Sequence, residues 1–175
     1  IPVTATSSSR ANSPEPHGLH DNLWYVAGDL ANYLNPVSNN DSLEANKEQK
    51  KIKEQYGKYF QPYITQLEEW CKSSEGNWKV KSVYNYLNKE TLATDLIRSN
   101  LLQVLDGHLV RSAKIEKIVQ EKAFVRFSVE AEGILHNLWK DKAVAEDYIS
   151  FYMRQLDSGE KSLCYITGIE GPIAK

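Results

Sequence analysis

The chain has 175 residues, 41% hydrophobic and 25% charged, enough for one ordinary domain with a real core, which excludes wholesale disorder and fibrous repeats. A formal net charge of −2 and a pI near 6.1 exclude a broadly basic polyanion binder, so any nucleic-acid contact has to be local. No apolar run approaches the roughly 20 residues of a membrane span, and the N-terminus lacks the basic-then-apolar order of a secretory signal; the expectation is a cytoplasmic protein without a membrane partner.

IPVT reads as the end of a strand, and TATSSSRANSPEPHG, residues 4–18, as an exposed loop, because Ser, Thr, Asn and Pro bond their own backbone and disfavour regular ladders. LWYVAG, 23–28, is a short buried strand or the start of a short helix. Residues 35–46 combine turn and capping types without an apolar period and read as a flexible connection. From Lys47 to Ser73, Ile52, Tyr56, Tyr59, Phe60, Tyr63, Ile64, Leu67, Trp70 and Cys71 recur at three- and four-residue steps, the stripe of an amphipathic helix. Pro62 removes a donor, so a kink or break is expected near Phe60.

Residues 77–89 repeat the helical period, and Thr91 is placed as the cap of a helix running to about Leu105, ended by an Asp106–Gly107 turn. AFVRFSVE, 123–130, alternates as a strand; 138–156 is an amphipathic helix; Leu163 to Thr167 reads as a strand again. Strand, helix, strand is compatible with a crossover unit. The fold class expected is α+β, a small mixed or antiparallel sheet packed with several amphipathic helices: 47–118 mainly helical, 119–175 strand–helix–strand, in one unit.

Little in the chain reads as catalytic. Cys71 and Cys164 lack CxxC or Cys/His spacing and read as buried or half-buried thiols, not a disulfide or zinc framework. The pairs Glu68–Glu69 and Glu130–Glu132 read as solvated charges, since adjacency alone does not converge two carboxyls in a pocket. His17, His20, His108 and His136 show no HExxH spacing, and ITGIEG lacks the Lys-Ser/Thr of a phosphate loop. Lys47, Lys50, Lys51, Lys53 and Lys58 are interleaved with Glu48 and Glu54 and read as a solvated face. Ser7, Ser8, Ser9, Arg10 and Asn12, by contrast, put hydroxyls, a guanidinium and an amide on one loop, a donor set suited to phosphates or base edges.

Two motifs carry a resemblance. CYITGIEGPIAK at 164–175 matches a CxVTGxxxPIA segment at Cys164, Thr167, Gly168, Pro172, Ile173 and Ala174, and HDNLWYVAG matches xDNxxYxLG at Asp21, Asn22, Tyr25 and Gly28. Both resemble the large subunit of the type I-C CRISPR Cascade complex (Csd family, Dvulg subtype), in order along most of the chain. Ile1 in place of an initiator methionine, and an ending inside the second motif, read as an N-terminal fragment of that subunit.

The resemblance implies a non-enzymatic, DNA-binding subunit in antiviral defence. Guide RNA reads sequence by pairing, while this subunit checks the short flanking PAM. Its implied partners are double-stranded target DNA, guide RNA, other Cascade subunits and a recruited helicase-nuclease that does the cleavage; no cofactor or metal is implied. Carried onto this chain, the DNA-binding residues are Ser7, Ser8, Ser9, Arg10, Asn12 and His17, although His17 stands where an asparagine is expected. Asp21, Asn22 and Tyr25 are assigned to bracing the loop, and Gly168 and Gly171 to a tight turn. Two rival readings remain: a metal-dependent nuclease or hydrolase using Asp21, His17 and His20 or the acidic pairs, and a structural interaction module docking through Tyr56, Tyr59, Tyr63 and Trp70.

Overall fold

A computed structural model of the chain describes residues 15–34, 42–73, 77–110, 112–115, 117–157, 161–163 and 170–172. It is α+β: five α-helices and five two-stranded antiparallel ladders among the described residues. The first described element, β1 (Asp21–Asn22), runs straight into α1 (Leu23–Val26), so LWYV is helical; the Leu23 N–H is still held from outside by the Ala123 carbonyl at 2.9 Å.

The long helix α2 (Ser42–Ser73) begins inside the stretch expected to be a connection and passes through Pro62 as one helix. Pro62 and Lys58, whose carbonyl would have received the missing N–H, are both exposed, so water can satisfy the freed acceptor. Proline in a helix interior costs about 3 kcal/mol. Phe60, Tyr63, Leu67 and Trp70 are all buried on the opposite face, at about 1.5–3 kcal/mol each, and that sum keeps the helix whole.

Helix α3 (Trp78–Leu87) buries Val80, Val83 and Leu87 as its period requires. Helix α4 (Leu92–Arg98) ends well before Leu105, because Asn100 takes φ +57° and breaks the turn, with the Asn100 N–H on the Ile97 carbonyl. Asp106–Gly107 is instead the tip of a hairpin, β2 (Val104–Leu105) with β3 (His108–Leu109); its φ values of +51° and +79° are those of the two-residue turn that Asp-Gly favours. Buried Gln120 holds this hairpin at its base. Its Nε2 donates to the Gln103 and Val110 carbonyls at 2.8 and 3.0 Å, and its Oε1 accepts the Gln103 N–H at 2.9 Å. A second small hairpin joins β4 (Lys114–Ile115) to β5 (Ile118–Val119).

The alternating run 123–130 is divided between two partners. Its first part, β6 (Phe124–Val125), pairs with β1; its second, β7 (Ser128–Ala131), pairs with β8 (Ile134–Asn137) around a Glu132–Gly133 turn. Helix α5 (Lys142–Asp157) follows, and the last ladder joins β9 (Lys161–Leu163) to β10 (Glu170–Pro172). No parallel crossover forms among the described residues: the strand after α5 pairs forward with β10, not back to β6 or β7. Gly171 therefore sits in a ladder opposite Ser162 and not in a turn, while Cys164 and Gly168 lie outside the described residues.

The core gathers along the inner face of α2. Its middle meets α1 and the segment before it, where the Tyr63 hydroxyl donates to the Leu19 carbonyl at 2.8 Å. Its end meets α5, where the Trp70 indole N–H donates to Asp147 at 3.0 Å and its ring packs edge-on against Tyr148 at 4.9 Å.

Candidate nucleic-acid interface

Of the loop residues singled out in the sequence, Ser7, Ser8, Ser9, Arg10 and Asn12 lie outside the described residues, and His17 is half-buried at the loop's C-terminal base. The base is built around Asp21. This carboxylate is fully buried, and it accepts the His17 backbone N–H at 2.8 Å on one oxygen and the Asn22 N–H at 2.7 Å on the other. It thus fixes a tight bend from His17 to the first ladder, the bracing role that Asp at a loop end performs. The rest of the motif is also spent on structure. Asn22 opposes Phe124 across the ladder, Tyr25 packs edge-on against Tyr59 at 5.1 Å, and Gly28 lies against the ring of Phe60.

His20 is turned inward beneath the bend. Its Nδ1 accepts the Phe127 N–H at 3.2 Å, so in the neutral ring the proton sits on Nε2, which is buried and finds no acceptor. Burial, with the positive charge of Arg126 adding to it, lowers the imidazole pKa to about 4. A histidine held neutral this way, beside a carboxylate already bonded to two backbone donors, does not make a metal cradle with His17. Among the described residues no group of three or more His, Cys, Asp or Glu stands close enough to hold a metal ion.

The other sequence candidates fall into ordinary places. Lys47, Lys50, Lys51, Lys53 and Lys58 are all exposed on α2, with Lys50 paired to Glu54 at 3.9 Å. Glu68 pairs with Lys72 at 2.8 Å, Glu69 accepts from Gln155, and Glu132 is a turn residue. Cys71 is a buried free thiol whose pKa burial pushes up to about 11, an inert state. Tyr63 and Trp70 are fully buried, and Tyr56 and Tyr59 pack on Trp24 at 6.4 and 5.3 Å, so the aromatic stripe is consumed inside this chain.

What the sequence pattern did not single out lies on and around β6, where Lys122 ends a short 3-10 turn, Gln120–Lys122, that leads through Ala123 into the strand. Lys122, Phe124 and Arg126 alternate outward, Phe124 with half its surface exposed. The Lys122 ammonium sits 5.2 Å over the Trp24 ring and the Arg126 guanidinium 5.8 Å over Trp139. The alternation was visible as a strand; the tryptophans beneath the cations come from other elements and were not.

The family model described as CRISPR-associated protein (Cas_Csd1) matches residues 1–175. The chain belongs to the Csd1 family of CRISPR-associated proteins. No curated protein and no solved structure matches it. Membership of the Csd1 family agrees with the order of motifs along the chain, and no helix among the described residues is long and apolar enough to cross a membrane.

Proposed function

We propose that this Csd1-family chain is the non-enzymatic, DNA-binding large subunit of a type I-C Cascade complex, acting in the cytoplasm in PAM recognition and target capture. The observation that carries the reading is the family match along all 175 residues, joined to the way Asp21 clamps the chain where the polar loop ends. A loop that presents Arg10, Asn12 and the serines to a duplex needs one rigid end, and a fully buried carboxylate holding two backbone N–H groups supplies it. In this reading Arg10 anchors a phosphate or reads a base edge, guide RNA pairing reads the rest, and a recruited helicase-nuclease breaks the strands.

The test is a gel-shift titration of PAM-bearing duplex with the assembled complex. Arg10→Ala is expected to weaken binding by about 5- to 150-fold if the guanidinium reads a base, or to flatten the logarithmic salt dependence by about 0.9 if it neutralises one phosphate. Binding that matches wild type at every salt concentration removes the loop from the interface.

A further inference from the structure

The strip Lys122–Phe124–Arg126 has three properties that a core strand does not need. It carries an aromatic face half open to solvent, flanked on both sides by cations at alternating positions. Neither cation makes an ion pair with a carboxylate among the described residues; each rests on an indole ring instead. Those rings are themselves held. Trp24 stacks on Tyr59 with an interplanar angle of 7°, and Trp139 meets the edge of buried His20. The cations are therefore prepositioned, and less side-chain freedom is lost when a ligand arrives.

Charge marks the ligand as an anion. In a chain of net charge −2, residues 111–126 hold Arg111, Lys114, Lys117, Lys122 and Arg126 against only Glu116 and Glu121. A guanidinium held over a ring face by a cation–π contact still has its N–H groups to give to a phosphate. Lys122 and Arg126 stand about 13 Å apart along an extended chain, far enough to reach the phosphates of different nucleotides, with Phe124 midway. An aromatic face between two phosphate contacts is of use only to a base that is not already stacked and paired in a duplex.

We infer that Lys122, Phe124 and Arg126 form a binding strip for unpaired, single-stranded nucleic acid, with Phe124 stacking on a base and the two cations holding the backbone on either side. The inference rests on the DNA-binding reading above and extends it: β6 is hydrogen-bonded to β1, so the strip lies directly beside the base of the loop assigned to the duplex.

The experiment titrates the assembled complex with two probes, a fluorescent oligo-dT strand and the PAM-bearing duplex. Phe124→Ala is expected to weaken the oligo-dT by about 5- to 150-fold, the range for one lost stack, with Phe124→Trp restoring it. Lys122→Ala and Arg126→Ala are each expected to reduce the salt slope for oligo-dT by about 0.7. Because Phe124 is on the surface, an unchanged melting temperature checks that its variant folds. If Phe124→Ala leaves oligo-dT binding intact while Arg10→Ala still weakens the duplex, the strip is overturned and the proposed function stands. If the wild-type complex binds neither probe, the DNA-binding reading fails and the strip with it.

Discussion

At the scale of single residues, the DNxxYxxG motif is explained without any ligand. Asp21 clamps the bend, Tyr25 fills the core, and Gly28 permits a close approach: a Cβ there would lie 2.7 Å from the Phe60 ring and 2.8 Å from the Glu90 side chain. Phe60 is buried and cannot swing away, so Gly28→Ala is expected to destabilise the protein by about 1–3 kcal/mol, as overpacking does, measured by urea denaturation. Gly57, inside α2 with nothing within 4 Å of its would-be Cβ, is the matched control; Gly57→Ala is expected to stabilise by about 0.4–1 kcal/mol through helix propensity and unfolded-state entropy. Equal effects of the two substitutions would remove the packing explanation. The bracing role of Asp21 was legible in the sequence because Asp at a loop end acts on its own neighbours. The role of Gly28 was not, since the ring it accommodates belongs to another element.

At the scale of elements the same division holds. Helices α2, α3 and α5 were legible because each buries one stripe at a 3.6-residue period, a signal carried along the element itself. Of the hairpins, β2–β3 and β4–β5 were not, because strands of two residues have no period to read; β7, inside the alternating run 123–130, was, but its partner β8 was not, since a Glu-Gly tip declares a turn without declaring what flanks it. Helix α4 was legible only in part. Thr91 occupies the capping position, but its hydroxyl donates to the Asp95 side chain, and the cap is supplied from afar by Asp29. That buried carboxylate accepts the Ala93 and Thr94 N–H groups at 2.9 and 2.8 Å and the Thr94 hydroxyl at 2.8 Å. Asp29 thus ties a short, intrinsically weak helix to the segment after α1. Asp29→Ala is expected to cost about 1–3 kcal/mol, a lost cap plus buried donors left unpaired, and to raise amide exchange at Ala93 and Thr94 ahead of the rest of the chain. Exchange at those two amides that follows global unfolding in the variant would show that α4 does not depend on this cap.

At the scale of the whole molecule, the elements are pinned at a few buried or half-buried polar points, and two of them titrate. Asp141 caps α5 through the Ala143 and Val144 N–H groups and pairs with Lys79 of α3; the hydrogen bond from Lys79 is the main reason its carboxyl stays below its ordinary pKa. That contribution is present above the ordinary carboxylate range and is lost only as pH falls through the depressed value. His20 acts earlier on the same descent. Its folded pKa of about 4 lies below the 6.5 of an unfolded imidazole, so between those values the unfolded chain binds a proton that the folded chain refuses. Stability is therefore expected to rise with pH from about 4 to 6.5 and then level off, with a His20 slope of up to about 1.4 kcal/mol per pH unit. Denaturant midpoints of wild type and His20→Gln, whose amide oxygen can still accept the Phe127 N–H, measured across that range separate this group from the carboxylates. The variant is expected to lose the part of the slope above pH 5, where surface carboxylates are already ionised; parallel curves for the two proteins would mean that the imidazole under the loop base is protonated in the folded state, with water or an anion reaching its Nε2.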